Sequence, residues 1–475
     1  MIKPLSRLVA VLRGRSLDAS AGGRRWDGAK SISNLNATVA AAGTTLRRRG
    51  AYYARNNAWL ARGINALVAN TVGTGIKPQS RHPDQGIRER LHVLWGRWCD
   101  AADVAGRTDF YGLQALAVRG MVEGGEAFVR FRPQPLGTGP VPLKLQMIAP
   151  DQVDATLNRD LDDHGRIRSG VELDGEGRRR AYHVLPNRPG DAVFTSYQPV
   201  RIPAGDMLHV FEALEVGQVR GLSWLAPVLL RLHELDAYED AQLVRQKVAA
   251  LFAGFLIDPE GSGAGFEGTR TGSILDSGLE PGTLKTLPPG YDIRFSEPAQ
   301  VGDSADFVRT QLRAIAAGIG ITYEQLTGDL TGVNYSSIRA GLIEFRRRVD
   351  SLRWSVIVPQ LCQPTWEQFI RTAVVAGRIP SADFDRDPDS WLAADWHPPA
   401  WEWVDPLKDI AAEQAAVDAG FKSRSQVINN RGEDPEQVDR LRAADAERAR
   451  RLGLDQTPGR DAQTDQNAKE DAPDA

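Results

Sequence analysis

The chain has 475 residues, 42% hydrophobic and 25% charged, enough apolar material to pack several domains or one extended subunit. A formal net charge of −3 excludes a globally basic nucleic-acid clamp, and two cysteines far apart, Cys99 and Cys362, point to neither a disulfide framework nor a zinc site and fit a reduced, cytosolic setting. No run of about 18 apolar residues is present, so no membrane-spanning helix is expected, and the opening MIKPLSRLVAVLRGR lacks the apolar region and cleavage site of a signal peptide.

Residues 1–50 are rich in Arg, Ser, Ala and Gly. Residues 1–55 carry eleven Lys and Arg against two Asp, net +9. The composition predicts a disordered basic arm. From Ala51 to Thr71 the pattern turns helical, with Leu60, Ile64, Leu67 and Val68 on one side and Gly73, Gly75 and Pro78 ending it. Further helices are expected over Gln85–Cys99 and Tyr111–Glu123, then strands over Glu126–Arg132 and Leu143–Ile148. Val171–Leu173 and Ala181–Val184 flank Asp174-Gly-Glu-Gly177, a hairpin turn, and Met207–Phe211 reads as another strand. Residues 51–222 thus read as an α+β unit. Ser223 is the expected cap of a helix running to about Ala250, with Pro227 in its first turn. Residues 251–301 are Gly- and Pro-rich, with strand-like runs at Phe252–Ile257 and Tyr291–Phe295. A shorter helix is expected from Ser304 to Gly318.

A polar loop from Thr327 to Tyr335 follows, where Gly328 and Gly332 leave the backbone unconstrained. Ile338, Leu342, Phe345, Val349, Leu352 and Val356 then form a stripe of helical period. Asn334 or Ser336 caps this long helix, Pro359 is expected to break it, and its other face carries Arg339, Arg346, Arg347, Arg348 and Arg353. Thr365–Ala376 reads as a separate helix. Trp391, Trp396, Trp401 and Trp403 are expected to pack a loop-rich patch. Three helices open at Asp405-Pro406, Ser423 and Asp434-Pro435. The final residues 455–475 carry six acids against two bases and read as a disordered tail.

The segment GDLTGVNYSSIRAGLIEFRRR resembles the signature of lambda-type tailed-phage portal proteins. Three further stretches match in order: RNNAWLARGINALVANTVGTGIKP, GVELDGEGRRRAYHVLP and GQVRGLSWLAPVLLRLHELDAYEDAQL. The resemblance spans about residues 50 to 450. It implies an α+β, mainly helical, elongated subunit: wing over 51–222, stem helix 223–250, clip 251–301, second stem helix 302–320, tunnel loop 321–335, long helix and wing continuation 336–404, and crown 405–454. It also implies a dodecamer at one capsid vertex. Double-stranded DNA passes through such a ring, which nucleates procapsid assembly with capsid and scaffold proteins and receives the terminase large subunit and then the head–tail connector. The implied location is the virion, with host cytoplasm during assembly.

If the loop lines a channel, the residues expected to face it are Glu324, Thr327, Asp329, Thr331, Asn334 and Tyr335. None is basic, so contact with DNA would be polar and steric, without ion pairs. Twelve copies at −3 sum to −36. The arginine face of the long helix suits salt bridges between subunits or a position near DNA.

Other motifs carry less. Gly263-Ala-Gly265-Phe-Glu-Gly268 lacks the helix that a dinucleotide site needs, and there is no Walker A lysine. Asp383, Asp385, Asp387 and Asp389 imitate a calcium loop, but Pro388 and Ala394 occupy its glycine and glutamate positions. His209 and His233 are expected to be structural. No catalytic residue, metal ligand or cofactor is assigned. The alternatives are a DNA-processing nuclease built on the dispersed acids and a structural ring without DNA passage.

Overall fold

The computed structural model describes residues 34–191, 198–250, 254–257, 292–295, 304–401 and 406–454. They form an α+β fold, mainly helical. The first helix, α1 (Leu35–Asn56), is capped by Asn34, whose side chain accepts from Asn36 N. This corrects the expectation of a disordered arm over residues 1–50 from residue 34 onward. The inward stripe of α1 is Leu35, Val39, Gly43, Arg47, Gly50 and Ala54. Half of it is glycine and arginine, so composition hid an amphipathic helix.

One residue separates α1 from α2 (Ala58–Thr71). Asn57 serves both ends: its N–H donates to Tyr53 O, and its Oδ1 accepts from Leu60 N at 2.9 Å. Strand β1 (Lys77–Ser80) precedes α3 (Gln85–Cys99) and α4 (Phe110–Gly124), capped by Asp84 and Asp109. Next come β2 (Ala127–Pro133), β3 (Leu143–Ile148), β4 (Arg159–Asp160), β5 (Arg166–Arg168), β6 (Val171–Leu173), β7 (Arg179–Val184), β8 (Val200–Pro203) and β9 (Met207–Val210). They make two antiparallel sheets, in the orders β3-β2-β9 and β4-β5-β6-β7-β8. The expected hairpin joins β6 to β7, where Asp174 Oδ1 accepts from Glu176 N and Arg178 N.

The following helix, α5 (Leu229–Ala250), starts later than the Ser223 cap predicted. Ser223 Oγ accepts from Leu225 N at 3.2 Å and also donates to Glu123 O at 2.8 Å, which holds residues 224–228 in a turn against α4 before the helix begins. Strands β10 (Gly254–Ile257) and β11 (Asp292–Phe295) fall within the two expected strand-like runs, and they pair antiparallel. The remainder of 251–301, including the glycine motif at 263–268, lies outside the described residues. Helices α6 (Ser304–Ile319), α7 (Tyr323–Thr327) and α8 (Tyr335–Leu352) follow.

Pro359 does not end the long helix. A π-type stretch, Arg353–Cys362, contains Pro359 and leads directly into α9 (Gln363–Val375). Its wider turns accommodate a residue that has no N–H to give. The separate helix expected from Thr365 is the end of this same rod. The aspartate run 383–389 folds as two short helices, α10 (Ser381–Arg386) and α11 (Pro388–Leu392). Strand β12 (Ala394–His397) returns to pair with β1, Lys77 opposite His397. The last helices are α12 (Pro406–Asp418), α13 (Arg424–Asn430) and α14 (Pro435–Arg451).

Three cores hold these elements: one, around Phe128, Val171, Tyr182 and Ile202, is drawn from both sheets, and the other two are larger. In one of these two, Trp95, Trp98 and Phe110 of α3 and α4 meet Trp366 and Phe369 of α9, with Trp95 and Phe369 centroids 5.0 Å apart. Trp391 and Trp396 are buried in it, Trp401 is half-buried, and Trp403 is outside the described residues. In the other, Leu60, Ile64 and Leu67 of α2 pack with Leu232, Leu235, Leu312, Ile315, Leu326 and Phe345. Each such buried side chain contributes ~1.5–3 kcal/mol. Cys99 and Cys362 are both buried free thiols, and burial pushes the Cys99 thiol up to about 12.

Candidate channel loop and its supports

The loop between α7 and α8 is built from its own short side chains. Thr322 and Gln325 form a reciprocal cap at the start of α7. Gly328 closes it at φ +75°, a left-handed conformation that a larger residue adopts only with strain. Asp329 organises the turn. Its Oδ1 accepts from Thr331 N at 2.9 Å and Thr331 Oγ1 at 2.6 Å, and its Oδ2 accepts from Tyr323 Oη at 3.1 Å. The Thr331 hydroxyl, then the Thr331 and Tyr323 bonds together, hold this carboxyl below its ordinary value. Asn334 caps α8, accepting from Ser337 N at 2.8 Å.

The base of the loop rests on α2. A side chain at Gly63 would meet the Ile319, Ile321 and Leu326 methyls, each 3.0 Å from an added Cβ, so the glycine lets these helices touch. Arg62 Nε donates to Gln325 O at 3.2 Å. A cleft of about 560 Å³ opens beside the loop, between Trp59, Tyr238, Leu312, Tyr323 and Asp329. Burial raises the Glu239 carboxyl on its wall.

Of the six loop candidates, Thr331 and Asn334 are exposed, and Glu324, Thr327 and Asp329 are half-buried. Tyr335 is the first residue of α8. The five arginines do not share one environment. Arg339 is exposed, and Arg347 is exposed beside Glu344 at 3.7 Å. Arg346 lies over the Trp401 ring. Arg348 makes two 2.7 Å bonds to Glu212 and lies over Trp224.

Arg353 is not on the outer face at all: it is 2% exposed. It donates to Thr71 O at 2.8 Å, to Asn70 O at 2.7 Å and to Asp350 at 3.0 Å. The carbonyl end of α2 draws this cation inward. It follows Leu352 by one residue and Val349 by four, which puts it at the edge of the apolar stripe and within reach of the α2 carbonyls.

Sequence spacing gave no sign of a second polar centre. Glu126 is fully buried and accepts from Arg220 Nε and Nη2 (2.9 and 2.6 Å), Gly221 N (2.8 Å) and His209 Nε2 (2.9 Å). Arg220 Nη1 also donates to Ser169 O at 2.6 Å, and Arg47 of α1 lies 3.7 Å from Glu126. This centre ties α1, β2, β9 and the five-stranded sheet together. Although burial opposes ionisation, Arg220 and His209 keep Glu126 well below the carboxylate range. Burial pushes His209 down to about 4, and its Nδ1 has no partner, so no acceptor stands by to hold a second proton on the ring. The other histidine, His233, meets Tyr53 Oη at 2.8 Å. Among the described residues no three His, Cys, Asp or Glu gather to hold a metal ion. No described helix is long and apolar enough to cross a membrane.

This architecture has relatives. The chain is 28% identical over 453 residues to the probable portal protein of Halomonas phage phiHAP-1, covering 90% of this chain and 85% of that one. It is 24% identical over 444 residues to portal protein B of Escherichia phage lambda, covering 84% and 83%. Its fold matches a chain in the neck of an empty gene transfer agent particle with TM-score 0.51 at 15% identity, covering 83% of this chain and 94% of the other. A chain in the neck of the native particle matches with TM-score 0.50 and the same coverage. The family model described as phage portal protein, lambda family, matches residues 22–353, well over half the chain, and the protein therefore belongs to that family.

Proposed function

We propose that this portal protein assembles into a closed ring of about twelve copies at one capsid vertex, with the 328–334 loop on the channel wall. Double-stranded DNA enters and leaves through the ring. The observation that carries this reading is the loop itself: a polar turn without Lys or Arg, held open by Asp329, capped by Asn334 and seated on a packed helical base. Such a surface touches a phosphate backbone without binding it, which translocation requires. The neck whose chain shares this fold was computed with twelvefold symmetry, which supports the ring number. The insert 251–301 is the proposed dock for the terminase large subunit and then the head–tail connector. Capsid and scaffold proteins are the partners at the vertex. The role is structural, without catalysis.

Negative-stain electron microscopy with solution mass tests the ring. Rings of about twelve subunits with a central hole are expected; a monomer at every salt and protein concentration would sink the reading. Arginine placed at Thr331 and Asn334 then tests the loop. Packaging should slow, because two cations per subunit add up to a collar that grips phosphate. An unchanged rate removes the loop from the channel wall.

A further inference from the structure

Between Asp27 and Asp84 the sequence contains no Asp or Glu, yet it carries Lys30, Arg47, Arg48, Arg49, Arg55, Arg62, Lys77 and Arg81. Arg47 is used internally, bonded to Asp151 at 3.1 Å. Arg48, Arg49 and Arg55 are exposed on α1 and form no ion pair among the described residues. Arg48, Tyr52 and Arg55 follow one another at four and three residues, so they share one helix face. Tyr52 is 59% exposed at its centre.

The outer face of α5 has the opposite character. Leu230, Glu234, Ala237, Ala241 and Val244 recur at four and three residues, and all are exposed. Leu230 is 73% and Val244 59% exposed. Glu234 and the neighbouring Asp240 make no ion pair among the described residues. The opposite face of this helix, Leu232 and Leu235, is already buried in the core. Two small residues in mid-stripe allow close approach of another helix. Acids and exposed leucine and valine set the sign and the apolar content of what fits there.

We propose that these faces are partners across subunits: the Arg48–Tyr52–Arg55 face of α1 in one copy docks on the Glu234–Ala237–Asp240 face of α5 in the next. The contact is heterologous. Each copy offers one face of each kind, so a chain of such contacts closes only by rotation, as a ring does. This inference rests on the ring reading and names one of the surfaces that builds it. Paired opposite charges fix register and orientation, and burial of Tyr52, Leu230 and Val244 supplies the attraction.

Charge reversal with mutual rescue tests it. Arg48→Glu with Arg55→Glu should lower the ring fraction at least tenfold by mass photometry, and Glu234→Arg with Asp240→Arg should do the same. The chain carrying all four substitutions should reassemble, which also shows that the reversed chains fold. A second measurement needs no rescue. Tyr52→Cys with Ala237→Cys should give, on mild oxidation, a ladder of covalently linked subunits on a denaturing gel, since both native thiols are buried. Rings that survive both reversals and stay unlinked would leave the ring standing and overturn this contact. A wild-type chain that never assembles removes ring and contact together. If the arginine reversal spares the ring but abolishes retention of a duplex DNA fragment, the α1 face is a nucleic-acid surface and the subunit contact is wrong.

Discussion

Single buried charges carry the largest stability effects expected here. Glu126 has no solvent to fall back on, so Glu126→Ala leaves Arg220 buried and uncompensated, at a cost of ~3–5 kcal/mol in urea unfolding. Arg353→Ala strips donors from the Thr71 and Asn70 carbonyls at the end of α2 and should cost ~1–3 kcal/mol, whereas Arg347→Ala, on an exposed pair, should stay within ~0.5 kcal/mol. The same centre sets a pH dependence. His209 titrates near 4 in the fold against ~6.5 when unfolded, so the unfolded chain binds the extra proton between them. Stability therefore falls as pH drops from ~6.5 toward 4, by about 3 kcal/mol. Glu126, depressed in the fold, adds its own loss below ~4.3. His209→Gln keeps a donor to Glu126 and removes the titration, so its stability curve should flatten above pH ~4.5. An unchanged slope would show that His209 is already charged at neutral pH.

At the scale of elements, caps and close approaches decide what the loop can do. Asn334→Ala removes the bond to Ser337 N and should cost about 1 kcal/mol, read as faster amide exchange in the first turn of α8. Gly63→Leu forces apart α2, α6 and α7 and should lower the melting temperature while leaving the core around Trp95 intact. Much at this scale was legible in the sequence. Hairpin β6–β7, strands β10 and β11 and the three last helices follow from turn chemistry, short apolar runs between Gly and Pro, and Asp-Pro or Ser starts, all of them local signals. The departures have separate physical causes. Residues 34–50 were read as an arm because the buried stripe of α1 uses glycine and arginine. The start of α5 moved because Ser223 bonds Glu123, a hundred residues away in sequence. Arg353 is drawn inward by the Thr71 and Asn70 carbonyls, which no local pattern shows, and Pro359 is tolerated because the helix there takes π-type turns. Glu126, His209 and Arg220 meet only through the tertiary fold, and no spacing rule connects them.

For the whole molecule, family membership gives the role and the fold gives the parts. The helical base, the two sheets and the helices α12 to α14 form the described body, and the polar loop hangs from the junction of α2, α6 and α7. In α12 to α14 no residue is buried within the subunit, and Leu407, Phe421, Leu441 and Leu452 stand more than half exposed. Removing residues 406–475 gives up only partly exposed ties to the body, Arg88–Glu436, Gln79–Asp434 and Arg440–Glu89, so the subunit's own melting temperature should fall by no more than about 5 °C. Scanning calorimetry of the truncated chain checks this, and a large drop would place hidden core contacts in that segment.

The uninterrupted helical rod from Tyr335 to Val375 has a mechanical consequence. At about 1.5 Å per residue it reaches roughly 60 Å, from the end of the polar loop past the Trp366 and Phe369 rings to Val375. A load at its tip is not absorbed by a hinge; it arrives as torque on the aromatic core. The π-type stretch begins where Arg353 clamps the rod to the carbonyl end of α2. The rod is thus a lever with its fulcrum at Arg353, and a small displacement at the loop becomes a tilt of α9 against α3.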